Sequence, residues 1–307
     1  MIQSSHLSPR CWIAAVVCVG AFATGCGTAT NKKNRDDAQV KIVGGKPVDP
    51  DVNDVRRLST VALTTDVVNQ RRSTARHLLD LGRSFCTASI IGPRVLLTAA
   101  HCLQDFDPRT NQKSSAFIFP STKDFIAFFG TRVSFAGEWV RASKVIPHEK
   151  WSPELTLQGN ADAPPNDIGV MILENNIPES YMPVEIADET MPLKEGHPVT
   201  LVGFGVTRSR RNNNTGTLRE VSLPLKSIER KSNLLNVGSF MKGACAGDSG
   251  GPMYAQDDQG RWYVIGVTSA GIEILQNCIG VDNSYTDARK YKNWIRTTLA
   301  AEGLELR

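Results

Sequence analysis

Residues 243–254, GACAGDSGGPMY, place a serine inside a cluster of glycines. A serine hydroxyl is a weak nucleophile unless a base takes its proton and N–H donors stabilise the oxyanion that forms. Glycine costs about 0.5–1 kcal/mol in a regular element relative to alanine, so such a cluster needs a structural reason. A tight turn would point the N–H groups of Gly247 and Ser249 into one concavity. An ordinary multi-turn connection is the alternative interpretation.

A nucleophilic serine needs a base, and one histidine of this chain has a distinctive context. His101 follows the apolar run LLTAA and precedes Cys102, whereas the other four are His6, His77, His148 and His197. A third group must orient the imidazole, and Asp167 opens the apolar segment NDIGVMIL, where a carboxylate would be buried without a partner. Taken one at a time, such a serine is more often an ordinary turn residue, such a histidine more often structural, and such an aspartate more often a cap or turn residue than a catalytic group. Together they predict a Ser–His–Asp site.

Composition limits the functions that this site can serve. The chain has 307 residues, of which 41% are hydrophobic and 21% charged, a balance typical of one large or two small globular domains. A formal net charge of +4 does not indicate nucleic acid as a partner. Cysteines with CxxC spacing are absent, so we expect no metal site, and no motif indicates an organic cofactor.

The first residues are typical of an export signal. Arg10 precedes 13 apolar residues, CWIAAVVCVGAFA, too few to span a bilayer, and ATGC follows. This ending resembles a bacterial lipoprotein signal, so we expect a signal peptide over 1–25, a lipid on Cys26 and a polar linker or propeptide over 26–41. A plain secretory signal with an incidental cysteine is the alternative. Both predict an exported protein, either periplasmic or anchored at the outer membrane.

The elements that position the site are short. From residue 42 onward, runs such as RVLLTAA, DFIAFFG and PVTLVGFG are separated by Gly, Pro and Asn clusters, which favours an antiparallel β-protein. The polar segments 66–83 and 104–124 are expected to be surface loops. A C-terminal helix is predicted, with Thr286 as its cap and Tyr291, Trp294, Ile295 and Leu299 on one face.

The motifs TAAHC (98–102), NDIGVMIL (166–173) and GDSGGP (247–252) resemble the trypsin-like serine proteases, in that family's order of His, Asp and Ser. The segments KIVGG (41–45), GFG (203–205) and SAG (269–271) are similar as well. The resemblance implies an all-β fold of two antiparallel six-stranded Greek-key β-barrels, over 42–180 and 181–285, with a C-terminal α-helix over 286–303. It also implies a monomeric serine endopeptidase that acts on protein or peptide substrates.

The resemblance assigns a role to each matching residue. Ser249 would attack the scissile carbonyl, His101 would act as base and acid, and Asp167 would orient the imidazole. The amides of Gly247 and Ser249 would form the oxyanion hole. Ser269 would donate to Asp167, and the segment from Ser269 to Gly271 would pair with the substrate backbone.

The resemblance also implies activation by cleavage. A cut between Lys41 and Ile42 would free an α-amino group that pairs with Asp248. The residue expected at the floor of the specificity pocket, Gly243, carries no charge, so this enzyme should not cleave after Lys41 itself. We therefore expect a separate, trypsin-like activating protease. If Cys26 carries a lipid, the same cut would release the enzyme from the membrane.

Four cysteines belong to the exported body, and an even number in an oxidising compartment implies two disulfides with three possible connectivities. The resemblance implies Cys86–Cys102, which would brace the histidine loop, and Cys245–Cys278, beside the specificity pocket.

The specificity pocket departs from that of trypsin. The residue six positions before the nucleophile, the floor of the pocket, is Gly243 rather than an aspartate. Asn283 is expected in the opposite wall, with Ser269 and Gly271 completing the pocket. Without a carboxylate, cleavage after Lys or Arg is not expected. A catalytically silent binding protein on the same fold is the alternative function.

Overall fold

The computed structural model describes residues 42, 44–51, 53–65, 86–107, 112–117, 122, 125–134, 137–151, 165–205, 216–240, 242–272 and 281–306. The polypeptide divides into a unit over 1–38, which lies outside these residues, and a unit over 39–307. The strands are β1 Lys46–Pro47, β2 Thr60–Thr65, β3 Cys86–Gly92, β4 Val95–Thr98, β5 Gln104–Asp107, β6 Gln112–Phe117, β7 Phe125–Phe129, β8 Glu138–Pro147, β9 Gly169–Leu173, β10 Pro198–Gly203, β11 Arg219–Pro224, β12 Ser227–Glu229, β13 Leu234–Ser239, β14 Pro252–Gln256, β15 Trp262–Ile272 and β16 Val281–Asp287.

Six strands close into an antiparallel barrel in the order β2-β3-β4-β9-β8-β7. Strands β3, β4, β7 and β9 are buried along their whole length. Such strands are mostly apolar rather than alternating because both of their faces are covered, and their few polar residues, such as Thr87 and Thr98, are buried as well. Of the segments that indicated β-structure in the sequence, RVLLTAA and DFIAFFG contribute β4 and β7 to this barrel, and His101 follows β4 after two residues. The third, PVTLVGFG, contributes β10 to the second sheet.

The second sheet has eight strands in the order β1-β11-β10-β14-β15-β16-β13-β12. Six of them span five to eleven residues, and short strands of two and three residues, β1 and β12, lie at the two edges. The prediction of an all-β fold with a barrel, a second antiparallel β-unit and a C-terminal helix is confirmed. Strand β1 adds residues 46–47 to this second sheet through Arg219 and Glu220.

The segment 104–124 was expected to be a surface loop, and this expectation is wrong in part. Strands β5 and β6 pair as a separate antiparallel hairpin. Backbone hydrogen bonding makes such a hairpin without requiring an apolar face, so the polar sequence gave no periodic signal. The other predicted loop, 66–83, lies outside the described residues.

The C-terminal helix α2 spans Lys292–Ala301 and follows a 3-10 turn at Ala288–Tyr291. The predicted apolar face is present, with Ile295 and Leu299 buried. The predicted cap is wrong: Asp287 caps the 3-10 turn by accepting from the Arg289 N–H, while Thr286 is the penultimate residue of β16. A helix α1 at Val55–Leu58 precedes β2. No helix in the described part of the chain is both long enough and apolar enough to cross a membrane.

The predicted disulfide between Cys86 and Cys102 is present. It joins the first residue of β3 to the residue after His101. Cys245 is also disulfide-bonded, whereas Cys278, its expected partner, lies outside the described residues.

Candidate active site

His101 lies at the end of a rigid support. Buried strand β4 leads into a 3-10 turn, Ala100–Cys102, and the disulfide of Cys102 ties that turn to β3. The imidazole keeps 26% of its surface exposed. The histidine is therefore fixed through its backbone while one edge of its ring stays accessible to a reacting molecule.

Asp167 is fully buried and accepts hydrogen bonds at both carboxylate oxygens. Oδ1 accepts the backbone N–H of His101 at 2.9 Å, and Oδ2 lies 2.7 Å from Nδ1 of the same residue. The Ser269 hydroxyl donates to Oδ2 at 2.6 Å. The structure thus brings together three residues that the sequence placed 66 and 102 positions apart.

Two opposing effects act on the titration of His101. Burial favours the neutral ring, but the charge of Asp167 and its hydrogen bond favour the protonated one and raise the pKa of His101 above its ordinary 6.5. An imidazole held in this way has Nδ1–H directed at the carboxylate, which leaves Nε2 as the proton acceptor.

Two residues that position Asp167 were missed in the sequence. Asn166 has a left-handed φ of 57° and is held by the Tyr291 hydroxyl, which donates to its Oδ1, and by its own Nδ2, which donates to the Lys150 carbonyl. Thr286, expected as a helix cap, donates to the Asp167 carbonyl at 2.9 Å. An asparagine directly before a buried aspartate was an available signal, because Asn is enriched at positive φ.

The loop that carries Ser249 rests on strands β3 and β4. The Thr87 N–H donates to the Ser249 carbonyl at 2.7 Å, and the Thr87 hydroxyl donates to the Gly247 carbonyl at 2.9 Å. A Cβ added to Gly250, at φ 77°, would lie 2.0 Å from Oγ1 of Thr98. Only glycine fits there, so the serine loop reaches the strand that delivers His101.

The Ser249 hydroxyl and the imidazole are not hydrogen-bonded among the described residues. Nε2 of His101 instead contacts Sγ of Cys102 at 3.8 Å. Catalytic hydrogen bonds often tighten only when substrate is bound, so this geometry does not exclude the pair.

A β-bulge aims Ser269 at Asp167. Along the ladder between β15 and β16, Thr268 pairs with Tyr285 and Ala270 with Ser284, so Ser269 is the extra residue. Bulges re-aim a side chain out of the regular alternation of a strand. The predicted contact between Ser269 and Asp167 therefore depends on a register shift that the sequence did not reveal.

Asp248, the residue before Ser249, is also buried. Its carboxylate accepts the N–H groups of Gly205 at 2.8 Å and Cys245 at 2.9 Å. A Cβ at Gly203 or Gly205 would approach the carboxylate oxygens to 2.3 and 2.5 Å, which explains both glycines of GFG. Burial raises the pKa of Asp248 to about 6.

The proposed activation segment is described at Ile42, Gly44 and Gly45, whereas Lys41 lies outside the described residues. Ile42 is 1% exposed and belongs to the apolar core of the second sheet. Its side chain therefore already lies inside the protein while the chain is continuous, with φ at 33°.

Gly243 and Asn283 are two of the residues predicted to form the specificity pocket. Both are buried, and Asn283 exchanges two hydrogen bonds with the backbone of Ala244, the residue after Gly243: the Ala244 N–H donates to Oδ1 at 2.8 Å, and Nδ2 donates to the Ala244 carbonyl at 3.3 Å. The amide of Asn283 is thus occupied, and neither residue offers a charge.

One set of potential metal ligands occurs in the described part of the chain, formed by Cys86, His101 and Cys102. Both cysteines are consumed by their disulfide. A metal binds the thiolate rather than the disulfide, so this set is better explained as the support of the histidine.

Comparison with known proteins gives one family. The model of the trypsin family matches residues 65–295. Mannan-binding lectin serine protease 1 of Mus musculus is 31% identical over 236 residues, covering 70% of this chain and 32% of the relative. Transmembrane protease serine 11G of Rattus norvegicus is 27% identical, covering 70% and 50%. Phenoloxidase-activating enzyme 1 of Spodoptera litura is 26% identical, covering 71% and 60%. The chain thus spans less than two thirds of each of these relatives.

Proposed function

The chain belongs to the trypsin family, and on this premise we propose that it is a serine endopeptidase acting on protein or peptide substrates through an acyl-enzyme. The observation that carries the proposal is the buried Asp167 carboxylate, which accepts from both the backbone and the ring of His101 and from Ser269. A carboxylate in that position orients an imidazole for base catalysis.

In the proposed reaction, Oγ of Ser249 attacks the scissile carbonyl carbon while its proton passes to Nε2 of His101. The carbonyl electron pair moves to oxygen, and the imidazolium is stabilised by Asp167. Collapse of this intermediate breaks the C–N bond, and His101 returns the proton to the leaving amine. Water then repeats the sequence on the acyl-enzyme and releases the acid.

The amides of Gly247 and Ser249 are proposed to stabilise the oxyanion. Gly247 has φ 97° and its carbonyl accepts from the Thr87 hydroxyl, so the backbone of the turn is anchored to β3 at this residue. Preorganised donors matter because they need no reorganisation during the reaction.

The free edge of β15 is proposed to bind the substrate backbone. Strand β14 pairs with β15 only as far as Val267, and no other described strand pairs with that edge over 269–271. An extended peptide can add to such an edge through main-chain hydrogen bonds. Gly271 is exposed there, as this role needs.

Activation is proposed to follow a cut between Lys41 and Ile42 by a separate protease. The support is Asp248, whose burial disfavours the charged carboxylate and which would gain an ammonium partner from a new terminus at Ile42. Because Gly243 and Asn283 offer no charge to lysine, the enzyme should not make this cut itself.

Export as a lipoprotein is proposed from residues 1–26 alone, which lie outside the described residues; the matched relatives are animal proteins. With a lipid on Cys26, residues 26–41 would form a tether of 16 residues between the membrane and Ile42, at most about 55 Å long. Cutting after Lys41 would then activate the enzyme and release it together. Fractionation with N-terminal sequencing tests this, and full activity in membrane-bound material that still begins at Cys26 would contradict it.

The central experiment is labelling with a fluorophosphonate probe before and after cleavage by a trypsin-like protease. We expect the cleaved chain to label at Ser249 and to hydrolyse peptides, and Ser249→Ala to do neither. Ser143→Ala, a change in the barrel, serves as the matched control and should label normally. A cleaved wild-type chain that binds peptides but never labels would favour a silent binding protein.

A further inference from the structure

An arginine occupies a core-facing position of strand β11. Burial alternates along the strand, so Arg219, Val221 and Leu223 share the buried face. Arg219 is 3% exposed, although arginine is almost never fully buried unless it is paired. Its Nε and Nη1 atoms have no hydrogen-bond partner in the described part of the chain. A buried charge of this kind requires a structural or functional explanation.

A buried group of opposite charge, the Asp248 carboxylate, lies close to this position of β11. Arg219 pairs in register with Gly203, and a Cβ on Gly203 would lie 2.3 Å from Oδ1 of Asp248. Directly opposed residues of an antiparallel pair project to the same face, so the guanidinium and the carboxylate occupy one buried region. No direct ion pair joins the two groups among the described contacts, but their charges act on each other: burial lowers the pKa of Arg219 and raises that of Asp248, and in both cases the partner's charge opposes the effect of burial.

Within the described residues, Asp248 is the one acidic group that acts on the titration of Arg219. Glu220 lies on the opposite face of β11, where it forms ion pairs with Lys46 at 3.3 Å and Arg56 at 2.9 Å. Asp248, in contrast, uses two acceptor sites for Gly205 and Cys245, and a carboxylate has about four. It can therefore accept a cation without giving up either backbone bond.

We propose that Arg219 is a positioning residue whose guanidinium supplies the counter-charge for Asp248 and so holds the loop that carries Ser249. The proposal rests on the proposed function. It goes beyond that function because the carboxylate would have an internal cation before and after activation, in addition to any new amino terminus. Since Asp248 lies between Gly247 and Ser249, the position of its side chain fixes both proposed oxyanion donors.

The test uses the full chain, cleaved after Lys41, with peptide hydrolysis and the rate of fluorophosphonate labelling as readouts. Arg219→Met should lower kcat roughly 100-fold with KM little changed, the size of effect that follows a misplacement of about 1 Å. Arg219→Lys should recover part of this loss because it restores the charge without the planar fork. Arg94→Met is the matched control: Arg94 also has a buried Nε without a hydrogen-bond partner among the described residues, but lies in the turn between β3 and β4. It should leave kcat unchanged.

A thermal unfolding cycle with Asp248→Asn, in the Ser249→Ala background, measures the pair without catalysis. Arg219→Met should lower the Tm more when Asp248 is present than when it is Asn. If Arg219→Met alone fails to fold while the double variant folds, the lone buried carboxylate is the cause and the proposal is supported. Additive Tm changes, a double variant that also fails to fold, or a kcat loss no larger than that of Arg94→Met would overturn it.

A wild-type chain that neither labels nor hydrolyses peptides would refute the proposed function instead. The thermal cycle would still report whether Arg219 and Asp248 are coupled, so the two failures are distinguishable.

Discussion

Both oxygens of the Asp167 carboxylate are engaged by His101, Oδ1 by the backbone N–H at 2.9 Å and Oδ2 by the ring Nδ1 at 2.7 Å. One buried carboxylate therefore fixes the position of the residue and the orientation of its ring. Because burial leaves this carboxylate no water to bind, the three donors from His101 and Ser269 determine its environment.

Replacing Asp167 by asparagine should separate geometry from charge. The amide can occupy the same space but favours the wrong imidazole tautomer, so kcat should fall by a factor on the order of 10⁴ with the fold retained. Peptide hydrolysis measured beside the Tm checks this. Near-wild-type rates in a folded variant would contradict the assignment of Asp167.

Replacing Ser269 by alanine removes one donor to Asp167. A hydrogen bond to a charged group is worth about 1.5–3 kcal/mol, so kcat/KM should fall about tenfold or more. Ser143→Ala is the matched control, because its hydroxyl donates only to the carbonyls of Ile172 and Leu173 in the barrel. Equal kcat/KM in the two variants would mean that the Ser269 contact does not serve catalysis.

The rate should increase with pH through the titration of His101. The base must be neutral, and its pKa is raised above 6.5 by Asp167, so kcat/KM should rise with an apparent pKa above 6.5. In Asp167→Asn the residual activity should titrate at lower pH, since the charge that raises the pKa is gone. An unchanged midpoint in that variant would assign the titration to another group.

The stability of the uncut chain should depend on Asp248 with a defined sign. Its pKa is about 6 in the folded protein against 3.8 otherwise, so between pH 4 and 6 the native state binds a proton that the unfolded state releases. The contribution of Asp248 therefore falls as pH rises through this window, by about 3 kcal/mol at most. The free energy of unfolding, measured with denaturant between pH 4 and 6, should therefore fall with pH more steeply in wild type than in Asp248→Asn.

Asp257, the residue after β14, provides a control for the pH dependence of stability, because its pKa is shifted in the opposite direction to that of Asp248. Hydrogen bonds from Arg261 and Gln259 outweigh desolvation and lower the pKa of Asp257, so Asp257→Asn should remove a contribution that is present above pH 3.8 and lost as pH falls. A slope for Asp248 in the same direction as that of Asp257 would contradict its assignment as a buried carboxylate.

Peptides with Phe, Leu, Met or Val on the acyl side of the bond should be cleaved faster than those with Lys or Arg. Burying an unpaired ammonium beside Gly243 and Asn283 should cost about 3 kcal/mol, which corresponds to a factor on the order of 100 in kcat/KM. Gly243→Asp should reduce the ratio of kcat/KM for apolar peptides to that for Lys or Arg peptides, because it adds a carboxylate to the pocket. Gly243→Asn adds no charge and should leave this ratio unchanged. A wild-type preference for Arg would show that another acid reaches the pocket.

The sequence by itself determined the family and the order of the three proposed catalytic residues, and the resemblance to that family implied the Cys86–Cys102 pair. These features depend on residue type within short motifs, where the local chemistry admits few substitutes. Apolar runs likewise indicated barrel strands such as β4, β7 and β9, because a strand covered on both faces is mostly apolar.

Tertiary structure alone decided how the motifs meet. Three such features join residues distant in sequence: the bulge that aims Ser269, the donation from Thr286 to the Asp167 carbonyl, and the pairing of Arg219 with Gly203, which lies beside Asp248. Each depends on strand register, and a shift of one residue would turn every side chain to the opposite face. Register is set by the packing of the whole sheet, so no local pattern in the sequence could specify these contacts.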